Sequence, residues 1–484
     1  MPDFLLAFGL IAVVLTIAAL VSGVVERSPL SFALIFLGLG LVLGKGGFGI
    51  IEMGPNDSNL EIVATLTLAL VLFLDAVKLQ VDELGKRWLA PALILGPGTG
   101  MIIALTAIPL ALLFDFRWIL AFIGGAILAS TDPVVLREIV RDRRIPRSVR
   151  QVLKIEGGMN DIVVLPVILI LIAVAQDSAS DVTGWLTFFL KLLFVSPIIG
   201  LAIGGIGSWL ISKVDARMGI RREYQALYGV GLVLAAYTAA TAAGGDGFLS
   251  AFAAGLGVVL LNQTLCDCFL EYGEVTAEMA MLFAFILFGA VLSGILDSVA
   301  IGPSIILAGL VIFVIRPAIL GLVLSRARMS WEAHAFVSWF GPRGLNSLLL
   351  ALLVVQAGVP GAELLLATVG VVVLASVLLH GATATPASAW YGGKVAKETL
   401  AEERQSTVSG LLGYEENEVA RINPAELKQL LNGPNPPMVL DVRSRSRYEE
   451  DGEQIPGSTR VLPDQVADWA ATQQTDRLIV AYCT

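Results

Sequence analysis

Long apolar runs separated by short polar interruptions fill the first 390 residues. A helix crosses a bilayer with about 20 predominantly apolar residues. Thirteen runs come close to that length: roughly 4–25, 30–50, 60–78, 88–114, 118–140, 151–175, 184–211, 223–243, 246–262, 275–296, 299–324, 331–357 and 362–390. Gly or polar residues interrupt the second, sixth and ninth. The first does not read as a cleaved signal peptide, because Asp3 is its only early charge and its apolar stretch is too long. After residue 390 the pattern changes. The segments MVLDV and RLIVAYC suit short buried parallel strands. The pattern predicts an all-α polytopic membrane domain of about thirteen transmembrane helices over 1–390, a cytoplasmic linker over 391–420 and a small α/β unit over 421–484.

Composition sharpens this division. Hydrophobic residues make up 56% of the 484 and charged residues only 15%, whereas a soluble domain is about 25% charged. Yet residues 391–484 carry ten Lys/Arg and fifteen Asp/Glu. The net charge of −9 leaves no basic footprint for nucleic acid, and three cysteines do not make a disulfide scaffold. Lys and Arg collect in cytoplasmic loops of membrane proteins. Seven lie between Arg137 and Lys154, marking that end as cytoplasmic. On the alternation this implies, odd-to-even loops hold seventeen Lys/Arg and even-to-odd loops only Lys45 and Arg117. The N-terminus is thus expected outside and the C-terminal unit in the cytoplasm of a cell (inner or plasma) membrane.

Ionisable residues inside spans are functional candidates by default. Those standing out are Asp75, Asp132, Glu156, Asp161, Arg316 and Arg343. In AILASTDPVVL, Pro133 disfavours helix at Asp132, so the helix should break at Thr131-Asp132-Pro133. A break frees carbonyl oxygens and a half-helix N-terminus. Together with a hydroxyl and a carboxylate, these suit a small hard cation. The plainer alternative is a proline kink whose aspartate only caps the second half-helix. In KIEGGMNDIVVL, Glu156 and Asn160 share a helical face and Asp161 sits about 140° round. A lone carboxylate in a dehydrated site is one for which a proton and a cation compete; alternatively it makes a structural Asn-Asp bond to a neighbouring helix.

Gly341-Pro342-Arg343-Gly344 is a second breaker. With the seventh span as a connector, the two interrupted helices are each the fifth of a six-span half. The odd offset gives the halves opposite orientation, the arrangement that marks a transporter's site. Arg343 needs a partner, and Glu156 is the expected one. Arg316 needs one too, but none can be named. Asp75 could draw cations into a cytoplasmic funnel or simply pair with Lys78 at i,i+3. His334 and His380 read as packing residues, and the GKGGFG run at 44–49 lacks the context of a phosphate loop.

In order along the chain, LFLDA (72–76), STDPVV (130–135), EGGMND (156–161), GDGFLSAFAAGL (245–256) and GPRG (341–344) together resemble the monovalent cation:proton antiporter superfamily, in its NhaP-like Na⁺/H⁺ exchanger branch. The resemblance implies thirteen spans in two inverted six-helix repeats, a dimer domain and a moving core domain, and hence a homodimer. It implies that Asp161 is the carboxylate shared by cation and proton, that Thr131, Asp132 and Asn160 help form the monovalent-cation site, and that Glu156 pairs structurally with Arg343. It implies no cofactor, only the transported Na⁺ (or Li⁺, or K⁺) and H⁺, with membrane lipid and a second copy of the chain as partners. Asn160 before Asp161 is similar to electroneutral members. Related members often carry Ser where this chain has Gly157, which bears on ion preference.

The stretches MVLDVRSRSRYEEDGEQIPGSTRV (438–461) and LIVAYCT (478–484) resemble the start of a rhodanese domain. In that family the Cys after the strand is the sulfur-carrying nucleophile, so Cys483 takes that position. The sequence ends one residue later, without the amide loop that would activate a thiolate. A secondary transporter rather than an enzyme is therefore expected. K⁺/H⁺ exchange with the same machinery is the alternative within transport, and a membrane-anchored sulfurtransferase or sulfur-relay protein the alternative outside it.

Overall fold

A computed structural model describes residues 32–78, 94–142, 144–177, 181–261, 273–325, 329–395, 422–443, 448, 453–461, 469–470 and 478–482, with five further positions before residue 21. The chain divides into two compact units, Met1–Glu418 and Val419–Thr484.

The first unit is helical. Its helices are α1 (Phe32–Leu43), α2 (Ser58–Val77), α3 (Thr99–Phe114), α4 (Trp118–Ala129), α5 (Pro133–Arg141), α6 (Arg147–Ala175), α7 (Val182–Leu190), α8 (Ser196–Met218), α9 (Arg222–Ala242), α10 (Gly247–Leu261), α11 (Glu274–Ile295), α12 (Ile301–Gly309), α13 (Arg316–Val323), α14 (Trp331–Trp339), α15 (Leu345–Gln356) and α16 (Ala362–Val395). Among the described residues, eight continuous helical segments are long and apolar enough to cross a membrane, and α1, α4, α10 and α15 are shorter apolar helices. The first predicted span falls mostly outside the described residues.

Two of the eight segments each join two α-helices. A π turn at Lys191–Val195 joins α7 to α8, and another at Leu310–Ile315 joins α12 to α13. Each lies just before a proline, Pro197 or Pro317. A missing amide hydrogen shifts the hydrogen-bond register without ending the helix. The unit's surface carries large apolar side chains such as Leu112, Leu186, Phe194, Ile198, Ile206, Trp209 and Ile305, each more than half exposed. Such a continuous apolar exterior suits hydrocarbon and not water.

The helices pack in two groups, α1, α2, α8, α9, α10 and α11 in one and α3 to α6 with α12 to α16 in the other, with lighter packing between the groups. Glycine contacts bind the first group. A methyl group added at Gly200 or Gly204 of α8 would lie 2.1 Å from the Ser250 carbonyl oxygen or 2.0 Å from that of Ala254, on α10. Gly40 of α1 and Gly289 of α11 meet as closely: a methyl on Gly40 would fall 2.1 Å from the Ile286 oxygen, and one on Gly289 2.3 Å from that of Leu37. In lipid there is no hydrophobic force between helices, so close van der Waals approach over small residues holds them. This is the structural meaning of the GDGFLSAFAAGL run: its small residues form the faces of α10.

Lys78 at the end of α2 pairs with Glu274 at the start of α11 (3.1 Å), and Arg141 at the end of α5 lies 4.0 Å from the same carboxylate. These three helix ends therefore share one side of the unit. Lys78 takes Glu274 as its ion-pair partner, not Asp75 one turn away.

In the second unit, helix α17 (Pro424–Leu431) opens with a capping box in which Asn423 and Glu426 satisfy each other's backbone amides. Strands β1 (Met438–Asp441), β2 (Thr459–Arg460) and β3 (Ile479–Tyr482) form a parallel sheet in the order β2-β1-β3. Asp441 is fully buried and accepts hydrogen bonds from Arg443 Nη2 at 2.7 Å and Tyr482 Oη at 2.9 Å. Cys483 lies outside the described residues.

Candidate functional site

Both predicted breaks are present. Helix α4 stops at Ala129 and α5 begins at Pro133; α14 stops at Trp339 and α15 begins at Leu345. The two extended segments meet. Asp132 N donates to the Pro342 carbonyl at 2.8 Å, and Asp132 Oδ2 accepts from Leu345 N at 2.8 Å. Asp132 thus caps the second half of the other broken helix, where the helix dipole favours a negative charge. This contact ties the first break to the N-terminus of the second broken helix. A methyl at Gly344 would sit 1.8 Å from Asp132 Oδ2, so only glycine leaves room for this contact.

Asp161, on α6, faces this crossing and is 2% exposed. Ser130 Oγ donates to its Oδ1 and Asn346 Nδ2 to its Oδ2, each at 2.6 Å. Neutral donors from both broken helices therefore hold one carboxylate. Thr131 and Asp132 are buried beside it. Asn160 does different work: its Nδ2 donates to the Ala129 carbonyl at 2.5 Å and to Thr131 Oγ1 at 3.3 Å, while its Oδ1 accepts from Thr99 Oγ1 at 3.1 Å. It ties up a carbonyl released by the first break and so braces the open backbone. Oxygen ligands of this kind, carboxylates and hydroxyls at broken backbone, suit a hard monovalent cation and a proton. Among the described residues no cluster of three His, Cys, Asp or Glu side chains forms a resident metal site.

The structural ion pair differs from the expected one. Glu156 Oε2 is bound by Arg316 Nη2 at 2.8 Å, both side chains being buried. Arg316 also donates to the carbonyls of Val337, Ser338 and Phe340 at the end of α14. The predicted Glu156–Arg343 pair is corrected accordingly. Arg343 Nη1 donates to the Gly341 carbonyl at 2.9 Å, and Arg343 Nε and Nη2 have no hydrogen-bond partner among the described residues. The reason is geometric. Arg316 follows the π turn and enters beside the break, and a methyl at Gly341 would lie 1.5 Å from Arg316 Nε. Carbonyls at a helix C-terminus attract cations, so both guanidinium groups settle at the end of α14.

Helix α16 holds the second break from both sides. Ser376 Oγ accepts from Arg343 N at 2.7 Å, and His380 Nε2 lies 3.0 Å from the Trp339 carbonyl oxygen. His380, expected as a packing residue, is a brace. Asp75 is buried in the last turn of α2, and its Oδ2 has no hydrogen-bond partner among the described residues. Sequence reasoning missed Ser130, Asn346, Thr99 and Ser376 as parts of the site. The available signal was weak: short polar residues beside breakers in otherwise apolar spans.

Comparison with known proteins places the chain in a family. Residues 11–390 match the model of the sodium/hydrogen exchanger transmembrane family. The chain is 30% identical over 397 residues to the K⁺/H⁺ antiporter NhaP2 of Shewanella sp. strain ANA-3, covering 80% of this chain and 67% of that protein. It is 27% identical to the K⁺/H⁺ antiporter NhaP of Alkalimonas amylolytica, covering 82% and 68%. The fold matches that of the sodium proton antiporter MjNhaP1 from Methanocaldococcus jannaschii with a TM-score of 0.66 at 18% identity, over 81% of this chain and 100% of that one. The chain belongs to the sodium/hydrogen exchanger family, within the monovalent cation:proton antiporters. It is a multi-pass membrane transporter and not an enzyme.

Proposed function

We propose that the protein exchanges Na⁺ or Li⁺ for H⁺ by alternating access, with cation and proton competing for Asp161. The observation that carries this reading is that neutral donors from both broken helices hold the buried Asp161 carboxylate. Ser130 and Asn346 satisfy two of the roughly four lone-pair positions of Asp161, leaving the others for a proton or, with Asp132 and Thr131, for a dehydrated cation. The group containing α3–α6 and α12–α16 carries the site across only when Asp161 is neutralised, because a bare charge in a low-dielectric passage is costly. Asn160 and Asp161 together supply one ionisable side chain, so one proton replaces one cation and the cycle is electroneutral.

The arrangement in this reading is thirteen spans in two inverted repeats, assembled as a homodimer, with the N-terminus outside. The grouping of Lys78, Arg141 and Glu274 on one side supports the alternation of loops behind that orientation. Asp75, near this side, attracts entering cations. Residues 421–484 are rhodanese-like in this reading, for which the parallel sheet is support.

K⁺/H⁺ exchange is the second reading. The names of the two curated relatives favour it, and so does Gly157, which offers no side-chain oxygen where a serine would ligate a smaller ion. The test is proteoliposome exchange with Li⁺, Na⁺ and K⁺ over a pH series. Proton movement coupled to Na⁺ or Li⁺ and not to K⁺ is the expected result. Coupling to K⁺ alone establishes the second reading, and coupling to none of them defeats both.

A further inference from the structure

Asn346 is 1% exposed and lies in the first turn of α15, directly after the second break. Nothing in an apolar helix requires an amide there, and burying one unpaired is costly. Its Nδ2 is committed to Asp161 Oδ2 at 2.6 Å. The preceding residue, Leu345, gives its backbone N–H to Asp132 Oδ2 at 2.8 Å. The following residue, Ser347, donates through Oγ to the Ile127 carbonyl of α4 at 3.2 Å. Three successive residues of α15 therefore grip the first broken helix and both carboxylates. On the opposite side, Ser130 fixes Asp161 Oδ1. With one donor on each oxygen, the carboxylate plane of Asp161 is not free to rotate.

We propose that Asn346 is the positioning residue that sets cation affinity and discrimination, by fixing the direction in which the second oxygen of Asp161 points. This rests on the exchange reading of Asp161 given above. Discrimination among ions of one charge depends on the size, number and rigidity of the oxygen ligands. Gly157 contributes no side-chain ligand, so the orientation of Asp161 bears more of the discrimination. Because Asn346 reaches the carboxylate from α15, the grip on the ion depends on where the second broken helix stands.

The test is proteoliposome exchange by the full chain, with kcat and KM measured for Li⁺, Na⁺ and K⁺ at one alkaline pH. Asn346→Leu keeps the volume and removes the donor. It should raise KM for the preferred cation about tenfold or more, the usual effect of losing a group that orients a metal ligand. It should also narrow the differences among the three ions, with kcat close to that of the parent. Asn346→Gln, which retains an amide, should fall nearer the parent in KM. If the Leu protein does not fold, Asn346→Ser, too short to reach Asp161, carries the same expectation. An unchanged KM and ion order overturns the proposal. So does an equal loss of kcat in the Leu and Gln proteins at constant KM, which marks a purely structural role. Asp161→Asn is measured alongside. Retained exchange there defeats the underlying reading of Asp161, whereas lost exchange there with unaltered KM in Asn346→Leu defeats only the assignment of Asn346.

Discussion

Charged side chains in this membrane unit take their meaning from their partners. Glu156 is buried against Arg316, whereas Asp161 is held by Ser130 and Asn346. Glu156→Gln leaves a buried guanidinium without its counter-charge, which costs about 3–5 kcal/mol. The expected result is a clear fall in the melting temperature of the detergent-solubilised protein with ion binding largely kept. Unchanged stability with lost ion binding would instead place Glu156 in the site.

In the second unit, the side chain of Arg443 beside Asp441 holds that carboxyl at about 2, below its ordinary 3.8. The sign follows directly: a lowered folded value means that the ionised pair contributes stability above about pH 4. That contribution is lost as the pH falls from there through 2. Arg443→Gln should therefore shift acid unfolding of this unit to higher pH, seen as earlier cutting by pepsin within 422–482 of the full chain. Cutting that begins at the same pH in both proteins would contradict the assignment.

At the scale of elements, breaks and small residues decide the architecture. Pro133 and Pro342 interrupt two helices, and Gly344 lets the interrupted segments touch. Gly344→Ala forces Asp132 off the N-terminus of α15, so we expect lost exchange together with reduced thermal stability; wild-type transport would show that the crossing tolerates separation. The prolines were legible in the sequence because their backbone restriction is local. The partner of Arg316 was not, since 160 residues separate it from Glu156. The π turns before Pro197 and Pro317 were also hidden, because a register shift leaves apolar periodicity almost unchanged.

At the scale of the molecule, the two helix groups differ in what holds them. Glycine-lined backbone contacts recur in the α1, α2 and α8–α11 group; among the described residues the other group has one such contact, Gly125 against the Ile103 carbonyl, and is tied by hydrogen bonds across its breaks. Electroneutral exchange predicts rates insensitive to voltage, since each net charge moved would add about 2.3 kcal/mol per 100 mV. Rates in proteoliposomes clamped with an ionophore at different potentials should coincide; a transport-coupled current would contradict one-for-one exchange.

The sequence by itself determined the membrane class, the two breaks and the candidate carboxylates. Apolar run length, proline chemistry and scarcity of charge are local properties that survive without a fold. Family membership was legible too, because five motifs occur in order. Only the tertiary structure decided that Glu156 belongs to Arg316, that Asn160 braces backbone, and that Ser130 and Asn346 hold Asp161. These depend on distances between residues far apart in the chain, and on which of two arginines reaches the open end of α14 with room left by Gly341.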